Sequence, residues 1–354
     1  IGRKNINLDS IQQFVCTINN YNLDVHTDLL VGLPGETKES HINSVKQAFD
    51  IGFHKIHIIP IRLLVGSRME EDDYRQNYGF ETRFRIIPTA YGKYDGYKVI
   101  EYEKCVCKTN TMTEDDFFGL RLFHAYILLY SIGIGRPLFE FSKKYGFHPL
   151  DLISNLATRV SGDEYPVLSQ QVDSYMEQAN NEWFKSEEEA NTYYLQDRVF
   201  DKIMKEGFPK LNYDYGAKLL LNLSLRNEFI KWIAQHIKEN LPNLKTSVID
   251  EIAQFSNEQF CVFPLDDKDT TLELSTDAFK ELKNYVSDDG SSGEIKDSAV
   301  RIKFYHDNEK IEILKTKIEK YRDVTERIIA IQNLLQTNHM AFIKKARRVA
   351  FKKS

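Results

Sequence analysis

Residues 28 to 37 read DLLVGLPGET. An acidic residue and an aliphatic run of strand composition, within VHTDLLV (25–31), lead into a Gly-Leu-Pro-Gly turn. Thr37 then stands where a helix N-cap belongs, ahead of Ile42, Val45, Ala48 and Phe49 at helical spacing. Gly52 ends that helix, and KIHIIPI (55–61) reads as a second buried strand. Upstream, Leu8, Ile11, Phe14, Val15 and Ile18 mark an amphipathic helix with Asp9 near its start. Helix, strand, helix, strand with short connections predicts βα units on a parallel sheet, open or closed into a barrel. Ligands in such folds sit at the carboxyl ends of the strands, where GLPGET and the later RLLVGSRM (62–69) both lie.

What the turn can hold is constrained by its own residues. A phosphate loop needs GxxxxGK[ST], or the GxGxxG spacing of a dinucleotide fold, and GLPGET matches neither. Glu36 also puts a carboxylate where a helix N-terminus would otherwise attract phosphate. On its residues alone the segment is a tight βα turn: Pro34 fixes one dihedral, Gly35 permits a positive one, and Glu36 sits favourably at the helix dipole.

At 354 residues the chain can form two or three domains, and 42% hydrophobic with 28% charged residues is ordinary globular composition. A formal charge of -5 and a pI near 6.1 give no call for nucleic acid or acidic lipid as a partner. The longest apolar run, AYILLYSIGIG (125–135), is too short for a membrane span, and IGRKNINLDSIQQF has no signal layout, so a cytoplasmic protein is expected. Four cysteines, Cys16, Cys105, Cys107 and Cys261, make no disulfide framework. Because Ile1 replaces an initiator Met and a helix begins almost at once, the chain reads as a fragment of a longer protein.

Further along, TRFRIIPTAYGKYDGYKVIEYEKCVCKTNTMT predicts two strands joined across Gly92 to Gly96. Thr113 with Asp116, and Ser186 with Glu189, stand at capping-box spacing, and residues 114–241 have room for five or six helices. SDDGSSGE (287–294) reads as a mobile linker, and VRIKFYHDNEKIEIL as a hairpin turning at Asp307-Asn308. Leu314, Ile318, Tyr321, Thr325, Ile328 and Leu335 then place one long helix, its apolar face on the helical domain or on a coiled-coil partner. The tail FIKKARRVAFKKS (342–354) has six Lys or Arg and no acid, and reads as a solvated helix end. The domains expected are therefore 1–112, 113–245 and 246–354.

DLLVGLPGET, a helix, and KIHIIPIRLLVGSRM together resemble the fifth and sixth strands of the radical S-adenosylmethionine enzymes. In that family an Asp and aliphatic residues precede GLPGET, and the next strand ends in a Leu-Pro-Gly-Thr type turn. IGRKNINLD is similar to the Arg-containing stretch after the fourth strand, and Arg3, Asp28 and Arg62 stand in the family's order and spacing. The resemblance covers residues 1–70 well and runs on more loosely through the strand pair. It implies an α/β fold: a partial (β/α) barrel edge, then a mainly α-helical domain and a small α+β C-terminal segment.

It also implies roles. Arg3 would reach the carboxylate of S-adenosylmethionine, Asp28 would accept from the ribose hydroxyls, and Leu30 would pack on the adenine. Backbone near Arg62 and Leu63 would read the adenine edge, while Gly32, Pro34, Gly35 and Glu36 form the turn beside the cofactor, thin because glycine permits close approach. Each residue has a plainer reading: Arg3 a helix-flanking charge, Asp28 a helix cap, Leu30 core, Glu36 a dipole partner.

Family chemistry starts at a [4Fe-4S] cluster held by a CxxxCxxC loop, fed by an electron donor such as flavodoxin or ferredoxin, and this sequence has no CxxxCxxC. Cys105 and Cys107 form a CxC pair read as strand packing; the nine His, among them His54, His57 and His124, match no metal spacing and read as structural. The cluster ligands are thus expected upstream, and no catalytic residue or substrate is identified. LLVGSRM followed by the YGF element (78–80) is similar to members carrying a cobalamin-binding domain, which makes cobalamin a further expected cofactor. The rival reading is a non-catalytic helical interaction protein retaining a relic of the barrel, with the long C-terminal helix recruiting a partner.

Overall fold

The computed structural model describes residues 6–350 apart from 22, 24, 54, 159, 209, 266–267, 287–298, 322 and 337–342. Arg3, His54 and the expected linker at 287–294 lie outside the described residues. The protein is mixed α/β, 58% helical, with small sheets and no closed barrel among the described residues. It divides into two compact units, residues 1–127 with 176–209, and residues 128–175 with 210–354.

The first unit begins as expected, with α1 (Leu8–Asn20), β1 (His26–Val31), α2 (Lys38–Ile51) and β2 (Lys55–Pro60). Asn7 caps α1, and Thr37 caps α2 through a reciprocal box with Ser40. Gly52, at φ 98°, closes α2 in the left-handed region that a side chain resists. The strands pair in parallel, Asp28 beside His57 and Leu30 beside Ile59. α3 (Asp72–Tyr78) leads into β3 (Glu81–Tyr94) and β4 (Tyr97–Lys108), an antiparallel pair. Its turn is tighter than expected: Gly92 lies within β3, and Asp95 and Gly96, both at positive φ, make the two-residue connection that matches strand twist.

β4 is stitched to the parallel pair where Leu63 N–H donates to the Lys104 carbonyl (2.8 Å) and Val106 N–H to that of Ile61 (2.9 Å). Ile61, Leu63, Phe80 and Val106 bury their side chains together at this junction. Beneath it Glu103, 5% exposed, is shared by Arg62 (Nε 2.6 Å away) and Arg85.

Among the described residues eight helices, rather than the expected five or six, follow between residues 114 and 241: α4 (Glu114–Ser131), α5 (Arg136–Lys144), α6 (Pro149–Leu156), α7 (Pro166–Asn181), α8 (Glu187–Tyr194), α9 (Asp197–Glu206), α10 (Leu211–Leu221) and α11 (Leu223–Asn240). Local punctuation shortens them. His148 and Pro149 start α6, Gly207 stops α9, and Asn222 both ends α10 and caps α11. Thr113 and Asp116 bond reciprocally, whereas Glu189 answers the Ser186 cap by accepting from Lys185 N–H instead. α8 and α9 return to the first unit, where Phe184 bridges Phe84 and Asn191 accepts from the Tyr102 hydroxyl.

The second unit adds α12 (Thr246–Glu258), β5 (Thr270–Ser275), α13 (Thr276–Leu282), β6 (Ala299–Tyr305), α14 (Asn308–Leu314), α15 (Val324–Gln336) and β7 (Ala346–Ala350), with β5, β6 and β7 in one antiparallel sheet. Three expectations are corrected here. Asp307 is a helix cap, not a hairpin turn: its carboxylate accepts from Glu309 and Lys310 N–H, and α14 follows. The single long helix is broken by a π turn at Lys315–Glu319, and Asp323 caps a fresh start for α15. The basic tail enters the sheet as β7, paired with β6, instead of fraying as a helix. α15 does lay its apolar side on α10, where Gly216 lets Leu335 approach.

Among the described residues no single helix is long and apolar enough to cross a membrane. Glu103→Ala would leave Arg85 buried without its shared counter-ion. The expected loss is about 3 kcal/mol of unfolding free energy, read by urea denaturation.

Candidate functional site

The carboxyl ends of β1 and β2 form two turns of one design. In the first, Glu36 N–H donates to the Leu33 carbonyl (3.0 Å), with Pro34 at the second position and Gly35, at φ 81°, at the third. That is a type II turn, whose third position asks for glycine. In the second, Ser67 N–H closes on the Leu64 carbonyl (3.0 Å) with Gly66 at φ 78°. Each is tied by a carboxylate four residues on: Glu36 Oε2 accepts from Gly32 N–H (2.8 Å), and Glu70 Oε2 from Gly66 N–H (3.0 Å).

Glu36 does more. Oε2 also accepts from Leu33 N–H (3.2 Å), and Oε1 meets Nδ1 of His41 at 3.1 Å. A carboxylate only accepts, so His41 Nδ1 carries the hydrogen. The far nitrogen of His41, Nε2, lies 3.1 Å from Nε2 of His124 on α4. His41 is fully buried on the α2 face that also carries Val45 and Ala48. Burial, then the positive potential of His41 and Arg121, hold His124 well below the ordinary histidine range, so it is neutral.

The expected site residues separate into two groups. Asp28 and Leu30 lie on one exposed face of β1, two strand positions or about 7 Å apart. Leu30 is 42% exposed and so is not core; Asp28 caps no helix among the described residues. His57 and Ile59 flank them across the parallel pair. Burial, then Lys55, push His57 down, partly opposed by Asp28. Beyond Ile59, the N–H and C=O of Arg62 face away from β4 and have no backbone partner among the described residues, while Leu63 N–H is already taken. Arg62 thus offers its peptide and commits its guanidinium to Glu103.

Gly32, Pro34, Gly35 and Glu36 form the second group, which shapes the rim. Gly32 sits at φ 93°, and a Cβ there would come within 3.2 Å of the Val106 carbonyl oxygen. The Glu36 carboxylate is 9% exposed and turned inward, so it holds the turn and does not present itself to a ligand.

Cys105 and Cys107 are buried on β4, where burial pushes the Cys105 thiol up to about 12 and raises that of Cys107 also. Among the described residues no three His, Cys, Asp or Glu side chains gather to hold a metal ion. His41 escaped the sequence reading; its signal is an imidazole on the apolar stripe of a helix, five residues after an acidic turn. No family model matches the chain, and a search of curated proteins returns no match.

Two outcomes are expected. Gly32→Ala forces a side chain into the left-handed region against Val106 and should cost about 1–2 kcal/mol in urea denaturation. His124 is buried neutral and gains its proton more easily unfolded. Stability should therefore fall as pH drops below about 6.5, by up to 1.4 kcal/mol per pH unit. His124→Gln should flatten that acid limb relative to the parent protein.

Proposed function

We propose that β1, β2 and their rim form the edge of a radical S-adenosylmethionine type barrel and bind the adenosyl half of that cofactor. The observation that carries this reading is that Asp28 and Leu30 share one exposed face of β1 while, past the carboxyl end of the parallel β2, the Arg62 peptide has no backbone partner among the described residues. A carboxylate suits the two ribose hydroxyls, an aliphatic side chain the adenine face, and a free N–H and C=O the adenine edge. The inward commitment of Glu36 leaves turn amides unsuited to cradle phosphate, which favours a nucleoside over a nucleotide.

Support also comes from what this unit leaves uncovered. Parallel sheets are normally buried on both faces. Here Leu30, on the strand face, is left 42% exposed, as expected of a barrel edge. Cys105 and Cys107 are buried with their thiols pushed up by burial, and no third ligand joins them among the described residues, so they do not fit an iron–sulfur cluster and no step is assigned through one. Reductive cleavage, an electron donor and cobalamin rest on the sequence resemblance alone.

Calorimetric titration with S-adenosylmethionine and with S-adenosylhomocysteine tests the reading, because both carry the adenosyl group. Asp28→Ala should weaken both by about tenfold, roughly the worth of a charge-assisted hydrogen bond, with an unchanged circular dichroism spectrum. Equal affinity in the variant would remove the ribose assignment, and no binding of either ligand would remove the site.

A further inference from the structure

His57 stands opposite Asp28 in the parallel register, as Ile59 stands opposite Leu30 and Lys55 opposite His26. Register partners in a parallel pair carry their side chains on the same side of the sheet, and alternate residues of one strand share a side. The His57 ring conforms: its centroid lies 6.3 Å from that of His26, an exposed residue two positions before Asp28. The face is therefore a ladder of rows about 7 Å apart, with Leu30 and Ile59 nearest the carboxyl ends of the strands, Asp28 and His57 next, and His26 and Lys55 last.

The middle row joins two groups of complementary hydrogen-bonding capacity. A carboxylate only accepts, so Asp28 can take the hydrogens of a vicinal diol but gives nothing to its oxygens. A neutral imidazole keeps one N–H and one lone pair. Burial, then the charge of Lys55, push His57 below its ordinary range against a smaller opposing pull from Asp28, so the ring is neutral near pH 7. His57 is also half-buried where Asp28 is exposed, which leaves it less rotameric freedom to lose when a ligand arrives. Donor and acceptor thus stand side by side, one row below a pair of aliphatic side chains.

We propose that His57 is a second ribose-binding residue of this face and a determinant of its sugar specificity, its N–H donating to one hydroxyl oxygen of the diol whose hydrogens Asp28 accepts. The inference rests on the adenosyl binding proposed for the face. An acceptor alone takes any hydroxyl that reaches it. An acceptor beside a fixed donor places one particular oxygen, and a sugar lacking that oxygen leaves a half-buried N–H without its partner. The face would accordingly separate a ribonucleoside from one of its two deoxy forms more sharply than Asp28 could by itself.

The probes are S-adenosylhomocysteine, adenosine, 2′-deoxyadenosine and 3′-deoxyadenosine, titrated calorimetrically against the full chain. The parent protein should prefer adenosine to each deoxynucleoside by about tenfold or more. His57→Leu, which has no donor, should narrow the gap to one deoxynucleoside by about fivefold, the worth of one neutral hydrogen bond, and leave the gap to the other. His57→Gln keeps an N–H and should hold more of that gap than the Leu variant, and both variants should retain the parent circular dichroism spectrum. Two results would overturn the role of His57 while leaving adenosyl binding in place: S-adenosylhomocysteine bound with both gaps unaltered in His57→Leu, or an affinity loss in that variant equal for all the probes, which would make His57 a packing residue. No binding of S-adenosylhomocysteine or adenosine to the parent protein would instead remove the adenosyl site itself, and the role of His57 with it.

Discussion

Glu36 commits one carboxylate oxygen to the turn that precedes it and the other to His41 of α2, and much of the first unit is arranged around that commitment. Gly32 and Leu33 direct their N–H groups at one oxygen, and His41 meets the other. A buried carboxylate is tolerated only when such partners replace water. The partners come from two elements, the strand end and α2, and His124 backs His41 from α4. One acidic side chain thereby fixes the angle between β1 and α2 and anchors α4 over them. The glycines follow from this: Gly32 can aim its N–H inward only at a positive φ and with no Cβ against Val106.

The same economy appears in Glu103, which serves Arg62 from the parallel pair and Arg85 from the antiparallel one. The two sheets of the first unit are joined there by one shared charge and by the backbone stitches at Leu63 and Val106. The Arg62 side chain is consequently a structural tie, while its peptide has no backbone partner among the described residues.

Much of the first unit was legible because its signals are local. Thr37 and Gly52 bound α2, the aliphatic runs mark both strands, and the parallel pairing follows from the short βα connections. What was missed depends on tertiary partners. Nothing near Asp307 distinguishes a hairpin turn from a helix cap until β6 is known to pair with β5 and β7. The apolar residues between 314 and 335 keep a regular spacing although a π turn and a new cap interrupt the helix, since the spacing reports which side is buried and not continuity. The tail's lysines and arginines look solvated because charge usually is; the strand pairing that draws Lys345 to 5% exposure lies far away in sequence. In the candidate site, the placement of Asp28 and Leu30 on a strand was readable from the local aliphatic run, whereas the Glu36–His41–His124 chain needed two helices brought together.

The paired design of the two strand-end turns bears on the thermodynamics of whatever docks above them. Each closes on its own glycine and is tied again by its own carboxylate, so the rim takes its shape during folding. Ordering a loop on association consumes conformational entropy that a preorganised rim has already surrendered. Binding at this face should accordingly draw on enthalpy from a few placed contacts, with little rearrangement of the backbone. A partner that needed the loops to wrap around it would find them unwilling, and one that fits the open face as it stands would not.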